Sequence, residues 1–555
     1  MKRLSYLLPA LVLLSSCSTS SSSSSLSSPD LSTSSPATDE FTDVPLSRKK
    51  NDSKYRTYYQ IFVSSYADSN KDGIGDLKGI QEKLPEIVDM GFDGIWLTPI
   101  FSSPSYHKYD CVDYYQIDED FGTMEDLEQL IKACHERDVR LILDLVVNHT
   151  AYNHPWFQSS LLAHRKKLQG ESLTPEEEEY DSLYVFFDSE EEARGSGTTF
   201  YQAGANPFYY EGNFSRDMPE LNFASEFTYE KIQEIIDFYL DKGIDGFRLD
   251  AVTSYDYKKT DHNVEILDRI AQMGHEKDPD CYFVGETWES GPVYSQYAKS
   301  KIDSCFYFPG STAFTSSSFL LSGNGMDGMY KRTYLNGLVE MERLSGESIP
   351  ALFLDNHDVP RATKGRDKRM TKFQLGLLSF SSGTTFTYYG DEIGMSSSKN
   401  PGGDYQDSNY RTHYYWDDKT HLYECHDPEH SVKQEQFYPG YSQQKEEEDS
   451  ILNYVKKANL MRQTYPALLS GMTEVEEKDE KTNKEIPSLL SFTRTDGKET
   501  YRVLINFHSL EAVDYSLDPE ETPLVLLLAE QERKATLRDE TLTIPPYSMA
   551  LIRVQ

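Results

Sequence analysis

From Tyr55 to about Gly394, short apolar runs alternate with amphipathic stretches. The runs fall at 57–63, 93–98, 140–147, 245–250, 282–286, 304–308, 351–355 and 384–389, eight in all. Between them the apolar spacing changes from continuous to helical. Residues 124–137 place Leu127, Leu130, Ile131 and Cys134 on one face, with Thr123 as N-cap and Glu125 and Asp126 in the first turn. Residues 227–241 repeat the pattern with Ile232, Ile235, Ile236, Tyr239 and Leu240, and Gly243 is placed to end that helix. Eight strands alternating with helices predict an α/β fold, a closed parallel (β/α)8 TIM barrel over 51–149 and 223–466.

Two stretches break the alternation. The connection after the third run is too long for a structureless loop, so residues 150–222 are read as an inserted subdomain. Residues 395–440, dense in Tyr, Gly and Asp, are expected to form part of a cleft wall. From 467 to 555 the chain changes to alternating runs such as Tyr501-Arg502-Val503-Leu504-Ile505-Asn506-Phe507, separated by turn residues, which predicts a C-terminal antiparallel β-sandwich.

The front of the chain has a different character. Met1-Lys2-Arg3, an apolar run to Leu14 and small residues read as an export signal over 1–17, and the run is too short to span a bilayer. Leu14-Ser15-Ser16-Cys17 resembles a bacterial lipobox, which implies cleavage before Cys17 and lipidation of its thiol. Residues 18–50 are Ser-rich and unable to bury enough apolar surface to fold. They predict a flexible tether with a reach of roughly 30 Å. The expected location is therefore extracytoplasmic, lipid-anchored at a bacterial surface.

Charge and cysteine content narrow the chemistry. The net charge of −36 repels phosphate backbones and argues against nucleic acid as a partner, while a neutral polymer meets no such barrier. The 39 tyrosines supply flat apolar faces with a hydroxyl, which suits sugar rings. Beyond Cys17, the five cysteines (Cys111, Cys134, Cys281, Cys305 and Cys425) are odd in number and lack CxxC spacing, so they indicate neither a disulfide framework nor a metal site.

Three acids end three of the apolar runs: Asp250 after Gly246-Phe247-Arg248-Leu249, Glu286 after Tyr282-Phe283-Val284-Gly285, and Asp358 just beyond Ala351-Leu352-Phe353-Leu354-Asp355. The C-terminal rim of a barrel is where catalytic groups sit. Retaining glycoside hydrolysis needs a carboxylate nucleophile and a carboxylic acid flanking one bond. Asp250 is assigned as nucleophile, with Arg248 two residues away on the same side keeping it ionised. Glu286 is the general acid and later base, its protonated form favoured by nearby anions. Asp358 grips sugar hydroxyls and favours the oxocarbenium-like transition state. At the first strand's end, Asp68, Asn70, Asp72 and Asp76 offer side-chain oxygens at alternate positions and Ile74 its carbonyl, around Gly73 and Gly75. That donor set suits a hard cation, and a structural Ca2+ is expected there.

On these segments, with Asp144-Leu145-Val146-Val147-Asn148-His149, Met218-Pro219-Glu220-Leu221-Asn222, Gly390-Asp391-Glu392-Ile393-Gly394-Met395 and Gly94-Ile95-Trp96-Leu97-Thr98-Pro99, the chain resembles glycoside hydrolase family 13, the α-amylase family, over roughly 55–555. The resemblance implies that His149 and His357 hydrogen-bond the sugar in the cleavage subsite and that Tyr109 and Asp110 match the family's Tyr-Asp pair, with Tyr109 stacking on that sugar. The Asp68–Asp76 loop resembles a calcium loop of oligo-1,6-glucosidase-like members, and Arg411-Thr412-His413-Tyr414-Tyr415-Trp416 loosely resembles a segment of oligosaccharide-acting members. Many α-amylases follow the nucleophile with a Lys-His pair that helps bind a calcium at the insertion. Here Ala251 is followed by Val252-Thr253-Ser254, which weighs against a calcium using Asn148. The function implied is α-1,4 hydrolysis of starch-like glucans or maltooligosaccharides by an enzyme of the α-amylase type, expected to be a monomer, with Ala251 favouring α-1,4 by analogy. An α-glucosidase, an oligo-1,6-glucosidase and a glucanotransferase remain the alternatives within the family.

Overall fold

The computed structural model describes residues 39–315, 327–363, 367–397, 407–417, 420–475 and 488–554. Cys17 and the expected signal lie outside them. Eight parallel strands close a barrel: β1 (Thr57–Ile61), β2 (Gly94–Leu97), β3 (Arg140–Leu145), β4 (Gly246–Leu249), β5 (Tyr282–Gly285), β6 (Ser304–Phe306), β7 (Ile349–Phe353) and β8 (Thr384–Tyr388). Each pairs with its neighbours in sequence, and β1 pairs with β8. Every strand overlaps one of the eight apolar runs, and β7 begins two residues before its run, at Ile349. The runs read as continuous because both faces are buried. Tyr58, Trp96, Ile142, Tyr282, Val284, Phe306, Phe353 and Phe386 fill the interior, and Tyr58 stacks on Phe386 at 4.9 Å. The outward residues meet the helices.

Those helices follow local signals. Helix α1 (Met124–His135) starts at Thr123, whose side chain and that of Asp126 cap each other's backbone amides. Such a cap contributes about 1 kcal/mol. Its buried face is Leu127, Leu130, Ile131 and Cys134. Helix α2 (Glu226–Asp241) buries Ile232, Ile235, Ile236 and Tyr239, and Gly243 beyond it takes φ +95°. Leu240 is only half-buried.

The segment between β3 and α2 holds three helices, Pro155–Leu168, Pro175–Ser182 and Glu190–Ser196, and a three-stranded antiparallel sheet of Phe186–Phe187, Tyr209–Glu211 and Phe200–Gln202. After the barrel, a five-stranded and a three-stranded antiparallel sheet pack through Leu489, Leu504, Leu526, Leu542, Ile544, Ala550 and Ile552. The fold class is thus a TIM barrel with an insertion after β3 and a C-terminal β-sandwich. All five described cysteines are free and buried.

The flexible stretch expected over 18–50 needs one correction at its end. Residues 40–50 lie along the sandwich and the N-terminal end of the barrel. Phe41 N–H donates to Ala535 O at 3.0 Å and Val44 N–H to Leu524 O at 2.8 Å. Arg48 reaches Asp138 O at 3.0 Å, and Asn51 donates to Asp93 at 2.9 Å. Composition missed this because a single edge contact per few residues needs no apolar run; Phe41 and Leu46 supply the packing.

Candidate active site

The strand registers place the acids. Arg248 on β4 lies opposite Asp144 on β3 and Val284 on β5. Close approach at the start of β4 needs Gly246, where a Cβ would fall 1.9 Å from Tyr282 O. The ladder continues past the strand ends: Asp250 N–H donates to Leu145 O at 3.3 Å and Glu286 N–H to Leu249 O at 3.0 Å. Asp250 and Glu286 therefore emerge side by side on the C-terminal rim.

One guanidinium joins them. Arg248 is 1% exposed; its Nη1 bonds Asp144 Oδ1 at 2.8 Å and also Asp250, and its Nη2 lies 3.1 Å from Glu286 Oε2. Ala251 follows Asp250 with φ +48°, a strained setting for a residue with a Cβ. In that setting its N–H donates to Glu286 Oε2 at 3.0 Å. Burial pushes the Glu286 carboxyl up to about 8, and the anions Asp250 and Asp358 add to this against the pull of Arg248. Burial also raises Asp144, although Arg248, Tyr109 and Trp96 all donate to it.

A hydrogen-bond chain runs across the floor. The Gln60 amide donates to His357 Nδ1 at 2.8 Å, which leaves the proton on Nε2. Nε2 lies 2.6 Å from the Tyr109 hydroxyl and 3.1 Å from Asp358 Oδ2. Tyr109 in turn donates to Asp144 Oδ2 at 2.9 Å. Its ring lies parallel to His357, with planes 2° apart. Burial lowers the His357 ring to about 3, so it is neutral. His149, also lowered by burial, sits 3.2 Å from Tyr109 O. Asp110 accepts from Ser103 at 2.7 Å and from Ser105, and so braces the Tyr106–Asp110 loop.

Asp250, Glu286, Asp358, Arg248, His357, Tyr109 and His149 are thus linked through contacts around one rim. Sequence reasoning left Asp144 and Arg411 without a role. Asp144 was legible only through register, because its partner is 104 residues away. Arg411 comes from the segment after β8. It donates to Asp358 Oδ1 at 2.9 Å, to His357 O at 2.9 Å and to the Tyr106 hydroxyl at 2.8 Å. Burial alone would raise the Asp358 carboxyl; His357, Arg411 and Arg248 outweigh it and hold the carboxyl below the ordinary range. Arg411→Ala should lower kcat/KM by roughly 100-fold, since it strands a largely buried carboxylate. The acid limb of the pH profile should move to higher pH, because the remaining cations hold Asp358 down less. An unshifted limb would show that Arg411 does not tune Asp358.

The Asp68–Asp76 loop is a chain of side-chain-to-amide turns. Asp68 accepts from Asn70, Lys71 and Gly73 amides at 2.9, 2.6 and 2.7 Å; Asn70 accepts from Asp72 and Asp72 from Ile74. Asp76 accepts from Ser69 and caps the following helix at Gly79. Gly73 has φ +92°, and a Cβ there would lie 2.1 Å from His426 Nδ1. The donors are hard oxygens, as a calcium requires. Among the described residues no three His, Cys, Asp or Glu side chains already converge on one point, so a cation would have to draw these carboxylates together. Near Asn148, the Asn213 amide donates to both Glu211 and Glu220, at 2.7 and 2.9 Å, and stands between those two carboxyls.

Known proteins carry the same architecture. The α-amylase catalytic-domain family matches residues 60–471. Alpha-amylase 3 of Dictyoglomus thermophilum is 31% identical over 516 residues, 90% of this chain and 93% of that protein. An oligo-1,6-glucosidase of Bacillus cereus is 27% identical, covering 90% of this chain and 99% of its own length. The solved structure of Eubacterium rectale Amy13B superposes with a TM-score of 0.82 at 30% identity, covering 92% of this chain and 97% of that one. The chain therefore belongs to the α-amylase family, glycoside hydrolase family 13, and is an α-amylase-like glycoside hydrolase.

Proposed function

We propose that this enzyme hydrolyses α-1,4-glucosidic bonds of starch-like glucans or maltooligosaccharides with retention of configuration. The observation that carries the reading is the single Arg248 guanidinium held by both Asp250 and Glu286. Two carboxyls on neighbouring nitrogens of one side chain suit the close spacing of a retaining pair. Asp250 attacks the anomeric carbon as Glu286 gives its proton to the leaving oxygen. The acetal C–O bond breaks as the ester bond to Asp250 forms. Glu286, now a carboxylate beside Arg248, takes a proton from water as that water bonds to the anomeric carbon, and the C–O bond to Asp250 breaks to release its carboxylate. Asp358 and neutral His357 hold sugar hydroxyls, and Tyr109 offers its ring face.

The α-1,4 preference draws on Ala251 and on the similarity to the Dictyoglomus α-amylase. The similarity to an oligo-1,6-glucosidase keeps that activity as the second reading. Chromatography of products from maltoheptaose, its end-blocked form and isomaltotriose separates them. Cleavage of the blocked chain supports endo α-1,4 action; glucose from isomaltotriose alone contradicts it.

Two further assignments belong to the same proposal. Asp68, Asn70, Asp72, Asp76 and the Ile74 carbonyl would hold a structural Ca2+. Saturating calcium should then raise Tm, by the equivalent of about 2.7 kcal/mol at a hundred times Kd, and Asp72→Ala should remove that rise; an identical Tm with calcium or chelator contradicts the site. Cys17 would carry the lipid anchor, tested by fatty-acid labelling of the full chain and of Cys17→Ser.

A further inference from the structure

The loop that carries Tyr109 turns on a lysine. It joins two short strands, Phe101–Ser102 and Asp113–Ile117, which pair antiparallel after β2. Within it Lys108 takes φ +63°. Glycine adopts that backbone without strain, whereas a residue with a Cβ does so at a cost. Among the described residues other than glycine with a positive φ, Lys108 is the only buried one that carries a charge. Its side chain is 7% exposed, and Nζ lies 2.9 Å from both Asp118 Oδ1 and Asp120 Oδ2. These two carboxylates follow the second strand, at the foot of the hairpin. Asp118 is itself buried, and its Oδ2 accepts from the Ser103 amide at 2.9 Å. One carboxylate thus holds both the start of the loop and the lysine in it. The ammonium also stands 5.5 Å from the centre of the Phe121 ring.

The residues on either side make different contacts. The Tyr109 hydroxyl reaches Asp144 at 2.9 Å and His357 Nε2 at 2.6 Å, and the Tyr109 N–H donates to His107 Nδ1 at 3.1 Å. Lys108 therefore sends its charge to the foot of the hairpin while its neighbour meets the groups of the site. A ring that stacks on a sugar binds best when it is held in place beforehand, because little freedom is then left to lose. An ion triplet taken largely out of water supplies that rigidity, since moving the ammonium would strand two carboxylates. Backbone strain of this kind persists where the surroundings hold it. Lys108 touches none of the reacting groups, so any part it takes is one of positioning.

We infer that Lys108, Asp118 and Asp120 form a strut that positions Tyr109 against the sugar under attack, and that the strut sets KM for α-glucans without entering the chemistry. This rests on Tyr109 as the ring on which that sugar stacks. Stacking acts on the bound substrate and on the transition state alike, so its loss appears in KM rather than in kcat. Lys108→Met, which keeps the chain length and loses the charge, should raise KM for maltoheptaose roughly fivefold or more, with kcat within about twofold of the parent. Lys108→Gly relieves the backbone and also lacks the ammonium, and should show the same rise. Asp120→Asn weakens the strut from its more exposed end and should show a smaller rise of about twofold, which keeps the test open if a Lys108 variant fails to fold. In a Tyr109→Ala background all three should leave KM where Tyr109→Ala puts it. An unchanged KM in folded Lys108→Met, a parent-like KM in Lys108→Gly, or the same rise with and without the Tyr109 ring would overturn the inference, the last pointing to a merely structural role. Should both Lys108 variants fail to fold, an unchanged KM in Asp120→Asn would overturn it. Tyr109→Ala leaving KM unchanged would overturn the reading of Tyr109 itself, and this one with it.

Discussion

Asp250→Ala is expected to lower turnover of maltoheptaose by on the order of 10^4-fold or more, about 5.5 kcal/mol of transition-state stabilisation. The loss is large because no other carboxyl can take over the attack. Asp144 is 1% exposed beneath Arg248, and Glu286 is committed to the proton. Binding should survive, since Tyr109, His357, Asp358 and Arg411 keep their mutual contacts. Calorimetric titration with maltoheptaose should therefore give a Kd within a few-fold of the parent while activity disappears. The substitution has a second consequence. The Asp250 anion is one of the groups that raise Glu286, so Asp250→Asn should lower the Glu286 pKa. Direct titration of isotope-labelled glutamate would detect the shift. Retained turnover in Asp250→Ala would remove the nucleophile from this account.

Glu286→Gln carries the second large effect. Glutamine cannot donate the proton that a sugar leaving group needs, and general acid catalysis contributes on the order of 10^2- to 10^4-fold. Maltoheptaose should lose that factor, whereas maltosyl fluoride, whose leaving group departs unprotonated, should form its glycosyl ester with a much smaller loss. The sign of the pH dependence follows from the raised pKa. The acid form that donates is present below about 8 and is lost as pH rises through it. The parent enzyme should show an alkaline limb of kcat/KM near 8, and Glu286→Gln should show none. A parent profile that falls from pH 5 upward would contradict the burial-driven shift.

The barrel was legible because its strands are buried on both faces, so that Tyr282-Phe283-Val284 and Leu141-Ile142-Leu143 stand out as unbroken apolar runs with chemistry at their ends. Helix α1 was legible down to its cap, because Thr123 and Asp126 act locally. Contacts made by irregular chain were not. Arg411 reaches Asp358 across 53 residues from a segment without periodicity. Asp144 looks like one more buried strand residue until the register sets it beside Arg248. Residues 40–50 carry a tether-like composition yet find backbone partners on the sandwich. Lys108 reads as an ordinary loop charge, and only its burial and its left-handed backbone mark it.

Retention through Asp250 requires a covalent glucosyl ester on that residue. Its most direct measurement is trapping with 5-fluoro-α-glucosyl fluoride, followed by peptic digestion and mass spectrometry. One added fluoroglucosyl group is expected on the peptide that contains Gly246-Phe247-Arg248-Leu249-Asp250, with fragmentation placing it on Asp250. A label on Glu286 or Asp358, or time-dependent inactivation that leaves the Asp250 peptide unmodified, would contradict it.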